Sequence, residues 1–182
     1  MKKTISLLLA LALALSVTLA AAEEAAAAPA KPVTVNWAEL APEITALGLT
    51  GDFYTLDGMA MAFWVPTALQ PADIDATYGE TNMLAAFQME TGGGFFISFY
   101  ELDAEEIGDF AGIISQLGAD SQIMVINGLS ACVFAYEDIL HVSFLVEGGY
   151  VLSFDFYPAS DYVFSAVARI IAASVQPYTA GE

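Results

Sequence analysis

The chain contains one cysteine, Cys132, and one histidine, His141, nine residues apart. A thiol and an imidazole at that spacing suit three roles: a nucleophile with its base, two ligands of a soft metal, or two sheet positions that do no chemistry. The turns around them decide which residues they meet. Asn127-Gly128 and Glu137-Asp138 have the composition of two-residue hairpin turns and Glu147-Gly148-Gly149 that of a three-residue one, so 123–157 is expected to form a four-strand meander. Alternation of side chains then puts Ile123, Cys132, Ser143 and Ser153 in one row of one face. Phe134, His141 and Asp155 form the next row, and Tyr136, Ile139 and Tyr157 the third. The opposite face carries Met124, Ala131, Phe144 and Leu152 with Val133, Val142 and Phe154. It is wholly apolar, and a helix is expected to cover it.

Serine, histidine and aspartate on one patch raise the question of acyl transfer, with His141 as base, Asp155 orienting it from the neighbouring strand, and Ser143 or Ser153 as nucleophile. Regular strands argue against it. Their amides are used in the ladder, no helix N-terminus supplies oxyanion donors, and no G-x-S-x-G elbow occurs. The expected state is a half-buried polar row with His141 paired to Asp155, and a small hydrolase using Ser143, Ser153, His141 and Asp155 is the alternative. As a binding surface the same face offers Cys132, Phe134, Tyr136, His141 and Tyr157. Cys132 has no cation nearby to activate a thiolate and suits a small core hydrophobe.

Other chemistries find less support. One Cys and one His leave zinc short of ligands. Calcium needs six or more oxygens, and the candidate carboxylates Asp73, Asp75 and Glu80, like the run Glu101, Asp103, Glu105, Glu106 and Asp109, lack the spacing of a calcium loop. Gly92-Gly93-Gly94 precedes Phe95 with no lysine and no helix start, so it is a hairpin turn and not a phosphate loop. No carboxylate pair is marked by its context for glycoside hydrolysis. Of the aromatics from Phe95 to Tyr100 and from Phe154 to Tyr157, alternation sends about half inward as core. No cofactor is expected.

The ends of the chain speak to location. MKKTISLLLALALALSVTLAAAEE has a basic start, an apolar run and a small-residue site before Glu23, the pattern of a secretory signal peptide over residues 1–22. Residues 23–35 are expected to be an Ala/Pro linker, and residues 36–178 one domain. Beyond residue 22 only Lys31 and Arg169 stand against all 22 carboxylates, leaving a net charge of −20. That charge repels phosphate backbones and anionic lipid, which disfavours nucleic acid and membrane-surface partners. A secreted or cell-envelope monomer with no span after cleavage is expected, stabilised by a core of a 57% hydrophobic chain in place of disulfides.

The elements that must carry these residues follow from periodicity and breakers. Asn36 caps a short helix toward Leu47, which Pro42 is expected to shorten or kink. FYTL and MAMAFWV flank Asp57-Gly58 as a type I′ hairpin, and 66–80 is expected to be loop with one helical turn. Met83–Met89 pairs with Phe95–Leu102, and an amphipathic helix is expected over 103–117. A last helix spans Asp161–Val175, with Val163, Val167, Ile170, Ile171 and Ser174 inward and Pro177 ending it. The fold class is α+β, a mainly antiparallel twisted sheet flanked by helices.

The blocks GMAMAFWVP before a loop, the strand pair leading into the 107–117 helix, and VINGLSACVF before RIIAASV resemble the PsbP-like fold. That fold is shared by extrinsic proteins of the oxygen-evolving complex, the Ran-binding nuclear-import protein of the Mog type, and many exported bacterial proteins. The resemblance implies an α/β/α sandwich that acts by binding other macromolecules and not by catalysis. No partner-binding motif is carried over. The expectation is therefore an exported, non-catalytic interaction domain that binds a protein or another extracellular ligand.

Overall fold

The structure is a computed structural model that describes residues 32–74, 82–102, 121–146 and 149–178. The expected helix over 103–117, the signal segment, Asp75 and Glu80 lie outside them. Strands β1 (Val33–Val35), β2 (Gly51–Leu56), β3 (Met61–Pro66), β4 (Leu69–Pro71), β5 (Met83–Met89) and β6 (Gly94–Glu101) come first, with helix α1 (Trp37–Ala46) between β1 and β2. Strands β7 (Gln122–Ile126), β8 (Leu129–Tyr136), β9 (Ile139–Val146) and β10 (Tyr150–Tyr157) follow, then helix α2 (Tyr162–Ser174) and β11 (Gln176–Pro177).

Among the described residues, eight strands form one sheet in the order β1-β7-β8-β9-β10-β6-β5-β4, and three form a second in the order β11-β3-β2. The meander has the register the turns imply. Cys132 faces Ser143, Phe134 faces His141, Ser143 faces Ser153, and His141 faces Asp155. Asn127 and Gly128 both take positive φ, 49° and 84°, as a type I′ turn requires.

The apolar face is buried as expected, but a helix is only part of its cover. Phe164, Ala168 and Ile171 of α2 join its core, and the second sheet lays Phe63 of β3 edge-on to Phe154 at 5.2 Å. Phe63 also meets Phe87 and Phe95, so one aromatic cluster ties the two sheets together. Each such ring removed from water contributes on the order of 2 kcal/mol.

Several local expectations are corrected. Val33–Val35, expected within the linker, pairs in parallel with Met124–Ile126, because its apolar residues extend the sheet edge. Asp57–Met59 is a 3₁₀ turn and Ala60 takes the left-handed conformation, so the β2–β3 connection is four residues long and not type I′. Helix α1 runs through Pro42 to Ala46, capped by the Asn36 side chain accepting from the Ala38 amide. Leu69–Pro71, expected to be loop, adds an edge strand to β5. On α2, Val163 is exposed, because Phe164 beside it takes the inward position, whereas Ser174 is fully buried. The Ser174 hydroxyl donates to the Ile171 carbonyl and accepts from the Trp64 amide, which explains a serine on an inward face.

Candidate functional site

The mixed face of the large sheet extends beyond the meander. Strand β6 pairs with β10 on the side away from β9, placing Ser98 opposite Ser153, and Phe96 opposite Asp155. Strand β5 continues the rows with Met83 opposite Ser98 and Ala86 opposite Phe96. One row therefore reads Ile123, Cys132, Ser143, Ser153, Ser98, Met83, and the next Phe134, His141, Asp155, Phe96, Ala86.

The structure brings the four hydrolase candidates together but connects them in the wrong order for acyl transfer. His141 Nδ1 meets Asp155 Oδ1 at 2.5 Å. Ser153 donates its hydroxyl to that same carboxylate oxygen at 3.0 Å, and Ser143 and Ser153 share a hydrogen bond at 3.3 Å. In a working triad the serine hydroxyl must reach the far nitrogen of the imidazole. Here the serine proton is held by the carboxylate, two residues along the same strand. Burial reinforces the point. Ser143 and Ser153 are 4% and 5% exposed, and Asp155 is equally enclosed.

The binding candidates divide along the face. Cys132 is fully buried in a small cluster with Phe134 and Val151. Burial pushes its thiol up to about 11, against a smaller opposing effect of a hydrogen bond with Ser121. A thiol held protonated in this way is neither a nucleophile nor a ready metal ligand. Phe134 is also buried and stacks on the His141 ring, centroids 4.5 Å apart and planes at 10°. Cys132 and Phe134 thus support the face from within and are no part of its surface. His141 is 20% exposed, while Tyr136 at 57% and Tyr157 at 38% stand open. The face grades from buried serines to open tyrosines.

At the open end a cavity of about 450 Å³ lies over β5, β6 and β10. Tyr157, Phe96, Met83, Ala86 and Gln88 line it with the 72–74 segment. Of these, Tyr157 is a binding candidate from the sequence and Asp73 a calcium candidate. The others depend on β6 lying beside β10, a pairing of distant segments with no local signal. Asp73, the described member of the calcium candidates, lines this cavity, and no three Asp, Glu, His or Cys side chains cluster as a metal site among the described residues.

Asn127, first identified as a turn residue, does more than turn the chain. Its side-chain oxygen accepts from the Trp37 amide at 2.6 Å, and its amide group donates to the carbonyls of Ala173 and Val175 at 2.9 and 2.7 Å. It joins the start of α1 and the end of α2 to the sheet. Among the described residues no helix is long and apolar enough to cross a membrane.

No protein-family model and no curated protein matches the sequence. Solved structures do. The solution structure of cyanobacterial PsbP (CyanoP) from Synechocystis sp. PCC 6803 superimposes with a TM-score of 0.51 at 11% identity, covering 71% of this chain and 94% of that one. A crystal structure from Bacteroides thetaiotaomicron VPI-5482 at 1.50 Å has a TM-score of 0.48 at 15% identity, covering 72% of this chain and 50% of that one. This chain thus spans about half the length of the Bacteroides protein. The fold is PsbP-like, as the hydrophobic blocks implied.

Proposed function

We propose that this chain is an exported, non-catalytic binding domain whose partner, a protein or another extracellular ligand, docks on the open end of the mixed face. The observation that carries this reading is the hydrogen bond from Ser153 to Asp155. It favours a structural role for the polar row, because a serine whose proton is held by a buried carboxylate is not primed by His141. What the face then offers to the outside is aromatic: Tyr136 and Tyr157, with His141 between them and the buried serines. Exposed tyrosines combine apolar area with a polar tip and recur at protein interfaces. The PsbP-like fold agrees with an accessory role. Export is supported by the amino-terminal sequence pattern and by a surface dominated by carboxylates.

The test is capture from the native extracellular fraction by immobilised protein, compared with a Tyr136→Ser, Tyr157→Ser double variant and with Tyr162→Ser. Tyr162 is the most exposed aromatic of the described residues and lies on α2. Retention of a specific partner by the parent and by Tyr162→Ser, with loss in the double variant, supports the reading. Equal capture by all three would assign the docking surface elsewhere.

A further inference from the structure

The cavity over β5, β6 and β10 has a ligand chemistry of its own, and its assignment rests on the binding-domain reading. At about 450 Å³ it lies within the range of small-molecule sites. Its floor is made by mixed-face side chains, Met83, Ala86 and Phe96, in the rows that continue the Ser153 and Asp155 positions across β6. Tyr157 completes the aromatic part of the lining, and the residues with polar side chains along it are Gln88 and Asp73. Among the described residues lining it none is Lys, Arg or His, and the whole chain carries a formal charge of −18.

These features favour one class of occupant. An apolar body fits the methionine, alanine and aromatic surface, where its removal from water stabilises the complex by about 25 cal/mol per Å². An anion meets Asp73 and the long-range field of the protein with the wrong sign. A cation meets both with the right sign, and the aromatic residues Phe96 and Tyr157 in the lining suit it further. We propose that this cavity binds a small organic cation with an apolar body, of the arylalkylammonium class.

The experiment titrates the purified protein with three probes of matched size: 2-phenylethylammonium, 2-phenylethanol and 3-phenylpropionate. Binding is followed by the methyl resonance of Met83 and by calorimetry. The ammonium is expected to bind saturably and about tenfold tighter than the alcohol, and the carboxylate not to bind. Asp73→Asn is expected to abolish the preference of the ammonium over the alcohol, with the melting temperature unchanged because Asp73 is exposed. Ala86→Leu, which fills the floor, is expected to abolish binding of both. Equal affinity for ammonium and alcohol in the parent protein, a preference that survives Asp73→Asn, or no saturable binding by any probe overturns the proposal. Partner capture that persists while all three probes fail leaves the binding-domain reading standing and removes only the small-cation assignment.

Discussion

Ser153 donates its hydroxyl to Oδ1 of Asp155, the carboxylate oxygen that also meets His141 Nδ1. A buried carboxylate left without donors is costly, and two donors from neighbouring rows remove that cost. The row is therefore self-sufficient as scaffolding, and its members should behave as structural partners when they are removed.

His141→Ala is accordingly expected to lower stability by about 1 kcal/mol, because Asp155 retains the Ser153 hydrogen bond. A double-mutant cycle of His141→Ala with Asp155→Asn, read by urea denaturation, should show a coupling of about 0.5 to 1 kcal/mol. Zero coupling would mean that the His141 contact does not hold the carboxylate.

Cys132 supplies a pH-dependent test. Its thiol is raised in the folded protein to about 11 from an ordinary 9.0, chiefly by burial. The folded state thus holds the proton more tightly than the unfolded state. The stabilisation is fully present below pH 9, and is lost as pH rises through about 11. Stability of the parent protein should fall more steeply across that window than stability of Cys132→Ala, measured as denaturant midpoints. At pH 8 a thiol reagent should modify the unfolded chain at least a hundredfold faster than the native one, since only the open form exposes a buried thiol.

Asn127 gives the largest expected loss. Asn127→Ala removes three hydrogen bonds and places alanine at a φ of 49°. The combined cost is about 3 kcal/mol, at roughly 1 kcal/mol for each bond with a smaller backbone contribution. Asn127→Asp keeps the acceptor for Trp37 but sets a carboxylate against the carbonyls of Ala173 and Val175. It should melt no higher than the alanine variant.

Much of the candidate site was legible because it is local. Two residues in each of two turns, Asn127-Gly128 and Glu137-Asp138, set the register of β7, β8 and β9, and strand alternation did the rest. Cys132 beside Ser143 and Phe134 beside His141 follow from the Glu137-Asp138 turn, and His141 beside Asp155 from the Glu147-Gly148-Gly149 turn that the sequence also marks. The placement of Phe96 next to Asp155 does not, because β6 and β10 are joined through the 48 residues 102–149 and nothing in either strand names its neighbour. The second sheet was hidden for a similar reason. Gln176–Pro177 is too short to register as a strand, and its pairing with Ala62 and Met61 joins segments far apart in the chain. Val33–Val35 reads as linker in the sequence because three residues carry too little pattern to stand apart from an Ala/Pro run. Asp57-Gly58 misled in the opposite direction, since a dipeptide that favours type I′ turns also tolerates a 3₁₀ turn when Ala60 takes the left-handed position.

The central claim, that the Ser-His-Asp row is scaffolding within a binding domain, is tested most directly by intact-mass measurement after incubating the native protein with a fluorophosphonate, which phosphonylates activated serines with loss of fluoride. The account predicts an unchanged mass at neutral pH, with Ser143 and Ser153 unmodified. A single adduct on either serine that disappears in His141→Ala would contradict it.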